Sequence, residues 1–112
     1  MSGQELFAKR NEITRELNAL LGEYRTDSQN AAEAEREYRV RLAVAMNAVH
    51  AAGVAWSATG DLARGSEEVA SLRCARDCMR GILDATQEAI NVKKLQLRII
   101  QADIEREWHE QR

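Results

Sequence analysis

Trp56, Thr59, Arg64, Gly65, Ser66, Arg73 and Arg76 are the residues whose types and spacing come nearest to chemistry. A guanidinium donates paired hydrogen bonds to an oxyanion, and an indole gives a base a face on which to stack. Ser66 is placed to start a helix. The first backbone N–H groups of a helix lack partners within it and favour negative charge. Together these residues describe a site for a small anion, a nucleotide included. Glu67 and Glu68 follow at once and oppose strong phosphate binding. The alternative reading is structural: Trp56 and Leu62 plug the end of a helical hairpin, and Arg64 pairs with Asp61 or Glu68.

Other chemistry is sparse. Cys74 and Cys78 are the only cysteines, four apart in a helix-forming stretch, so both thiols fall on one face. His50 and His109 are the only histidines and lie far apart, which leaves a metal two ligands short. No Ser/His/Asp order, HExxH, P-loop or GxGxxG occurs. Neither enzymatic activity, a cofactor nor a metal is expected.

The elements that hold the tip follow from composition. Of 112 residues, 45 % are hydrophobic, but eighteen of these are alanine, and there is no proline. A lone chain with so few large apolar side chains has a thin core, so self-association is expected. Sixteen basic residues face eighteen acidic ones, a net charge of −2 spread evenly along the chain. Bulk attraction to nucleic acid is therefore not expected. No apolar run nears the ~18 residues of a membrane span, and no basic-then-apolar leader opens the sequence. A cytoplasmic location is the expectation.

Three of the six glycines, Gly53, Gly60 and Gly65, fall close together between two helix-forming stretches. The periodicity predicts an all-α hairpin: arm one over 2–52, a tip over 53–65 and arm two over 66–112. In arm one, Ser2 and Glu5 form a capping box. Leu6, Ile13, Leu17, Leu20 and Tyr24 then share a face, which resumes as Ala31, Ala34, Tyr38, Leu42, Ala45, Val49 and Ala52. Between them 25–30 is weakly helical: a kink, a short loop, or a polar patch on a continuous helix. Glu35 with Arg39 and Glu37 with Arg41 are i,i+4 pairs suited to the solvent face. Gly53 is placed to end the helix. In the tip, Thr59 or Asp61 caps a single turn closed by Gly65.

Arm two carries Val69, Leu72, Met79, Leu83, Thr86, Ile90, Lys93, Leu97, Ile100, Ile104 and Trp108 on one stripe, widened by Ile82, Ala89 and Ile99. A face that wide asks for more than one partner helix, hence an oligomeric helix bundle. Folding about the tip pairs residue i with 118−i. The polar patch then meets Lys93, and Asp27 with Lys93 is a candidate register-setting pair.

The run Gly60-Asp-Leu-Ala-Arg-Gly-Ser-Glu-Glu-Val-Ala-Ser-Leu-Arg73, then Arg76-Asp77, Glu88-Ala-Ile-Asn91 and Ile104-Glu-Arg-Glu-Trp108, resembles small helical proteins of tailed phages and prophages. The upstream Glu35-x-Glu-Tyr-Arg39 fits as well. Such proteins are mostly uncharacterised. The resemblance implies an accessory protein of the host cytoplasm that counters host defences. Small secreted helical hairpins with a Trp-any-Gly turn share the length and plan. Here, however, Trp56 and Gly60 are four apart, and the C-terminal arm lacks that family's Tyr-x-x-x-acid signal.

Two functions compete. One is a non-enzymatic, self-associating interaction module that binds a host defence protein. The other is an oligomeric sponge that sequesters a small anionic ligand, such as a nucleotide immune signal, at the tip residues.

Overall fold

The computed structural model describes residues 2–110, and the last two residues expected in arm two lie outside them. Among the described residues there are three helices: α1 (Gly3–Ala51), α2 (Trp56–Arg64) and α3 (Glu67–Glu110). The all-α expectation holds, and no helix among the described residues is long and apolar enough to cross a membrane.

α1 opens on the capping box. The Ser2 N–H donates to Glu5 Oε2 at 3.1 Å, and the Glu5 N–H donates to Ser2 Oγ at 3.2 Å. The helix then runs unbroken through 25–30. The residues there lower helix propensity by only tenths of a kcal/mol each, and none is Pro or Gly. Tyr24 before and Ala31 after stay on the covered face, so packing on either side outweighs the local preference. Gly53, at φ 106°, ends α1. Its N–H donates to His50 O, and the Val54 N–H reaches back to Val49 O. This is the glycine-terminated arrangement that satisfies orphan carbonyls, and it needs a left-handed residue.

The contacts group into two units. One is Asp27–Leu83; the other joins the stretch up to Thr26 with the stretch from Asp84 onward. In the second, α1 and α3 pair antiparallel. Leu6, Ile13 and Ile100 form a buried cluster, with Leu97 and Ile104 packed against it. Ile90 and Thr86 are buried as well. Lys93 pairs with Glu16, so the expected Asp27–Lys93 device is replaced by a glutamate three turns earlier. Trp108 stands exposed instead of closing the stripe.

In the unit Asp27–Leu83, Ala31, Tyr38, Thr59, Ala63 and Val69 are buried. Glu35 meets Arg76 and Arg80, and Arg41 meets Glu68. The 118−i register had placed position 83 opposite Glu35 and position 77 opposite Arg41. The observed partners sit three to nine residues earlier on α3. The end of α1 meets α2: His50 stacks on Trp56, the first residue of a nine-residue helix where a single turn was expected.

Candidate functional site

α2 starts at Trp56, not within 59–61. Ala55, the residue before it, makes no side-chain capping bond. Thr59 is therefore inside the helix. It is fully buried, and its hydroxyl donates to Trp56 O at 2.9 Å. The expected cap is corrected on both counts, and this side chain presents no surface to a ligand. Gly65 ends α2, its N–H donating to Asp61 O.

The plug has other members than expected. Trp56 and Leu62 are more than half exposed, whereas Thr59 and Ala63, one turn apart on α2, are sealed. Small residues fit there because helices approach closely only where side chains are short. Trp56 stacks on His50, ring centres 3.7 Å apart and 14° from parallel. His50 is fixed in turn by a bond from its Nδ1–H to Val54 O at 2.9 Å. One indole face is thus occupied.

Ser66 caps α3 as the sequence indicates. The Val69 N–H donates to Ser66 Oγ at 3.4 Å, while the hydroxyl itself donates to Ala63 O at 2.7 Å. The two bonds link the end of α2 to the start of α3. Glu68 turns away to Arg41, 2.5 Å from its Nε. Arg41 thereby prefers a partner on α3 to Glu37, its expected one.

Arg64 and Arg73 do come together. With Ala70, Cys74, Asp77 and Cys78 they line an open groove of about 510 Å³. Positions 70, 73, 74, 77 and 78 repeat at helical spacing, so one face of α3 supplies the floor. Arg64 folds back across Gly60, with Nη2 only 2.8 Å from where a Cβ would stand, and lies 3.6 Å from Asp61. The expected Arg64–Asp61 pair is present, and Gly60 leaves room for it. Beside the arginines, the Cys74 thiol pushes the Cys78 thiol above its ordinary pKa by charge repulsion and hydrogen bonding, with burial and Asp77 adding to the effect. A thiol held protonated is a poor nucleophile. Among the described residues no group of three or more His, Cys, Asp or Glu could hold a metal ion.

Arg76 belongs elsewhere. It donates through Nε and Nη2 to Asp77 Oδ1 at 3.0 and 2.9 Å, and its guanidinium sits 4.5 Å from the centre of the Tyr38 ring. Glu35 lies 3.5 Å away and also receives Arg39 at 2.7 Å and Arg80 at 3.0 Å. The Arg39 hydrogen bond holds the Glu35 carboxyl below its ordinary pKa. The charges of Arg80, Arg39 and Arg76 reinforce it, and partial burial opposes it. This three-arginine cluster was not foreseen, though its signal is present. The stripe skips from Leu72 to Met79, and Arg76 occupies the vacant seam position between them.

Of the seven tip candidates, then, Arg64 and Arg73 share a groove, and Gly65 and Ser66 shape the turn. Trp56 faces His50, Thr59 is buried and Arg76 is committed to Asp77, Glu35 and Tyr38. No family model matches the chain, and no curated protein or solved structure matches it.

Proposed function

We propose that the chain is a non-enzymatic, self-associating helical module that works by covering the surface of a partner. The observation that carries this reading is an apolar stripe left open on α3. Val92, Leu95 and Ile99 share one face and are each about half exposed. Aligned large aliphatic groups in water are an association surface, whereas scattered ones are not. A role as a phage or prophage accessory protein, with a host defence protein as partner, is supported by the ordered short signatures between Glu35 and Trp108.

Native mass spectrometry of the protein purified from infected or prophage-carrying cells tests both parts. The expected result is a multiple of the 12.6 kDa chain carrying a host protein. A bare monomer at tens of micromolar refutes the reading.

The groove shared by Arg64 and Arg73 favours a second reading, sequestration of a small anionic ligand. Its test is titration with mono-, di- and cyclic nucleotides. Losing one guanidinium from a charge-assisted contact removes ~1.5–3 kcal/mol, or about 10- to 150-fold in affinity. Arg64→Ala should weaken binding by that factor with helicity unchanged. Equal affinity in the variant excludes the groove.

A further inference from the structure

α3 carries two seams. Thr86, Ile90, Lys93, Leu97, Ile100 and Ile104 alternate at four and three residues, are partly or fully covered, and face α1. A second series, Ala85, Glu88, Val92, Leu95, Ile99, Ala102 and Arg106, alternates at three and four, and every member is exposed. Seven-residue periodicity of this kind is the pattern by which one helix seats along another. The series covers 22 residues, or ~33 Å of helix. It lies wholly within the unit that includes 84–110.

The ends of the series carry opposite charges, and they are symmetric about Leu97. Glu88 stands nine residues before it and Arg106 nine after it. We propose that this outer face of α3 docks on the same face of a second copy, antiparallel and centred on Leu97. This proposal rests on the self-association reading above and adds the surface and the direction. In that register Glu88 of one copy faces Arg106 of the other at both ends. Val92 faces Ala102, a larger residue against a small one, and Leu95 faces Ile99 at the middle. Arg106 also pairs with Asp103 in its own helix, and a guanidinium has donors for both. A parallel pairing in register would set Glu88 against Glu88 and Arg106 against Arg106. Like charges across a helical interface are unfavourable, so the charge pattern selects the antiparallel dimer.

Three measurements test it on the full chain. Leu95→Asp places a carboxylate in the middle of the seam, on a residue exposed in the single chain. Sedimentation equilibrium should show monomer, with helicity by circular dichroism unchanged. Glu88→Arg alone should weaken the dimer about tenfold by turning two attractions into repulsions. Glu88→Arg with Arg106→Glu should restore it. In a Cys74→Ser, Cys78→Ser background, Arg98→Cys lies beside the axis and should crosslink to itself on mild oxidation, while Ala102→Cys should not. Self-crosslinking of Ala102→Cys without that of Arg98→Cys means a parallel pair and overturns the proposal. A dimer that withstands Leu95→Asp overturns this surface and leaves self-association standing. A monomer of the unaltered chain at tens of micromolar, whatever else covers the stripe, overturns both.

Discussion

The guanidinium of Arg76 lies 4.5 Å from the centre of the Tyr38 ring, which places a cation where the apolar seam has its gap. Tyr38 is only 6 % exposed and is the largest buried side chain of arm one. Truncating a buried aromatic removes its transfer energy and leaves a cavity. Tyr38→Ala should therefore destabilise by about 3–5 kcal/mol in urea denaturation. A loss below about 1 kcal/mol would mean that the ring is not packed in solution.

Acid should weaken the fold through Glu35 and Glu16. Hydrogen bonds from Arg39 and Lys93 respectively hold both carboxyls below their ordinary value of 4.5. A group whose folded pKa is depressed contributes stability above its unfolded pKa and loses it as pH falls through the folded one. Melting temperature should be level from neutrality down to about pH 5 and then decline through and below the ordinary glutamate range. Glu35→Gln should flatten that decline. An unchanged acid slope in the variant would show that the arginine cluster does not act on this carboxylate.

The same substitution should have opposite signs at two glycines. A Cβ at Gly81 meets nothing within 4 Å, and the residue is inside α3. Gly81→Ala should stabilise by about 0.8–1.0 kcal/mol, the difference in helix propensity. At Gly53 there is room as well, but φ is 106°. Gly53→Ala should destabilise by about 1–2 kcal/mol because an L side chain resists that conformation. Thermal melts of the two variants that shift in the same direction would contradict the account.

Cys78 should alkylate slowly. Its thiol is pushed above the ordinary value of 9.0, chiefly by Cys74, so less thiolate is present at neutral pH than on a free cysteine. Iodoacetamide should modify Cys78 more slowly than a cysteine peptide at pH 7.5, and Cys74→Ser should speed the reaction. Faster modification than the peptide would reverse the assignment.

Adjacent isoleucines should separate folding from association. Ile100 is 9 % exposed and packs in the Leu6–Ile13 cluster, whereas Ile99 is 53 % exposed. Ile100→Ala should cost about 2–5 kcal/mol of stability. Ile99→Ala should change the unfolding of the single chain by no more than about 0.5 kcal/mol and act on self-association instead. Equal melting losses in dilute solution would contradict the two-seam account of α3.

Periodicity made the long helices legible. The stripe from Leu6 to Val49 is largely the covered face of α1, and the Ser2–Glu5 box and the Ser66 cap are both formed. Local patterns of this kind depend on residues within one or two turns, which a sequence displays directly. Register was not legible, because matching the two arms end to end assumes that α3 pairs with α1 from its very end. Arg41–Glu68 and Glu16–Lys93 each lie nine residues off that pairing. The breadth of the α3 face, by contrast, was legible: Ile82 and Ile99 widen the stripe beyond what one helix can cover, and both are exposed while Ile100 is buried. In the candidate site, residue types identified Arg64 and Arg73. They could not tell that Arg76, one turn beyond Arg73, projects to Tyr38.

The pairs that fasten α1 to α3 differ widely in the length of chain between them. Arg41 and Glu68 are 27 residues apart, and Glu16 and Lys93 are 77 apart. Closing the longer loop unaided costs about 1 kcal/mol more chain entropy than closing the shorter. The economical order of assembly is therefore a zipper that begins around α2 and runs toward the termini. The small sealed residues Thr59, Ala63 and Val69 then belong to the nucleus, and Leu6 and Ile13 to its last step. Val69→Ala should mainly slow refolding, and Leu6→Ala should mainly hasten unfolding. A chevron analysis in which the two variants exchange those signatures would place the nucleus at the open end.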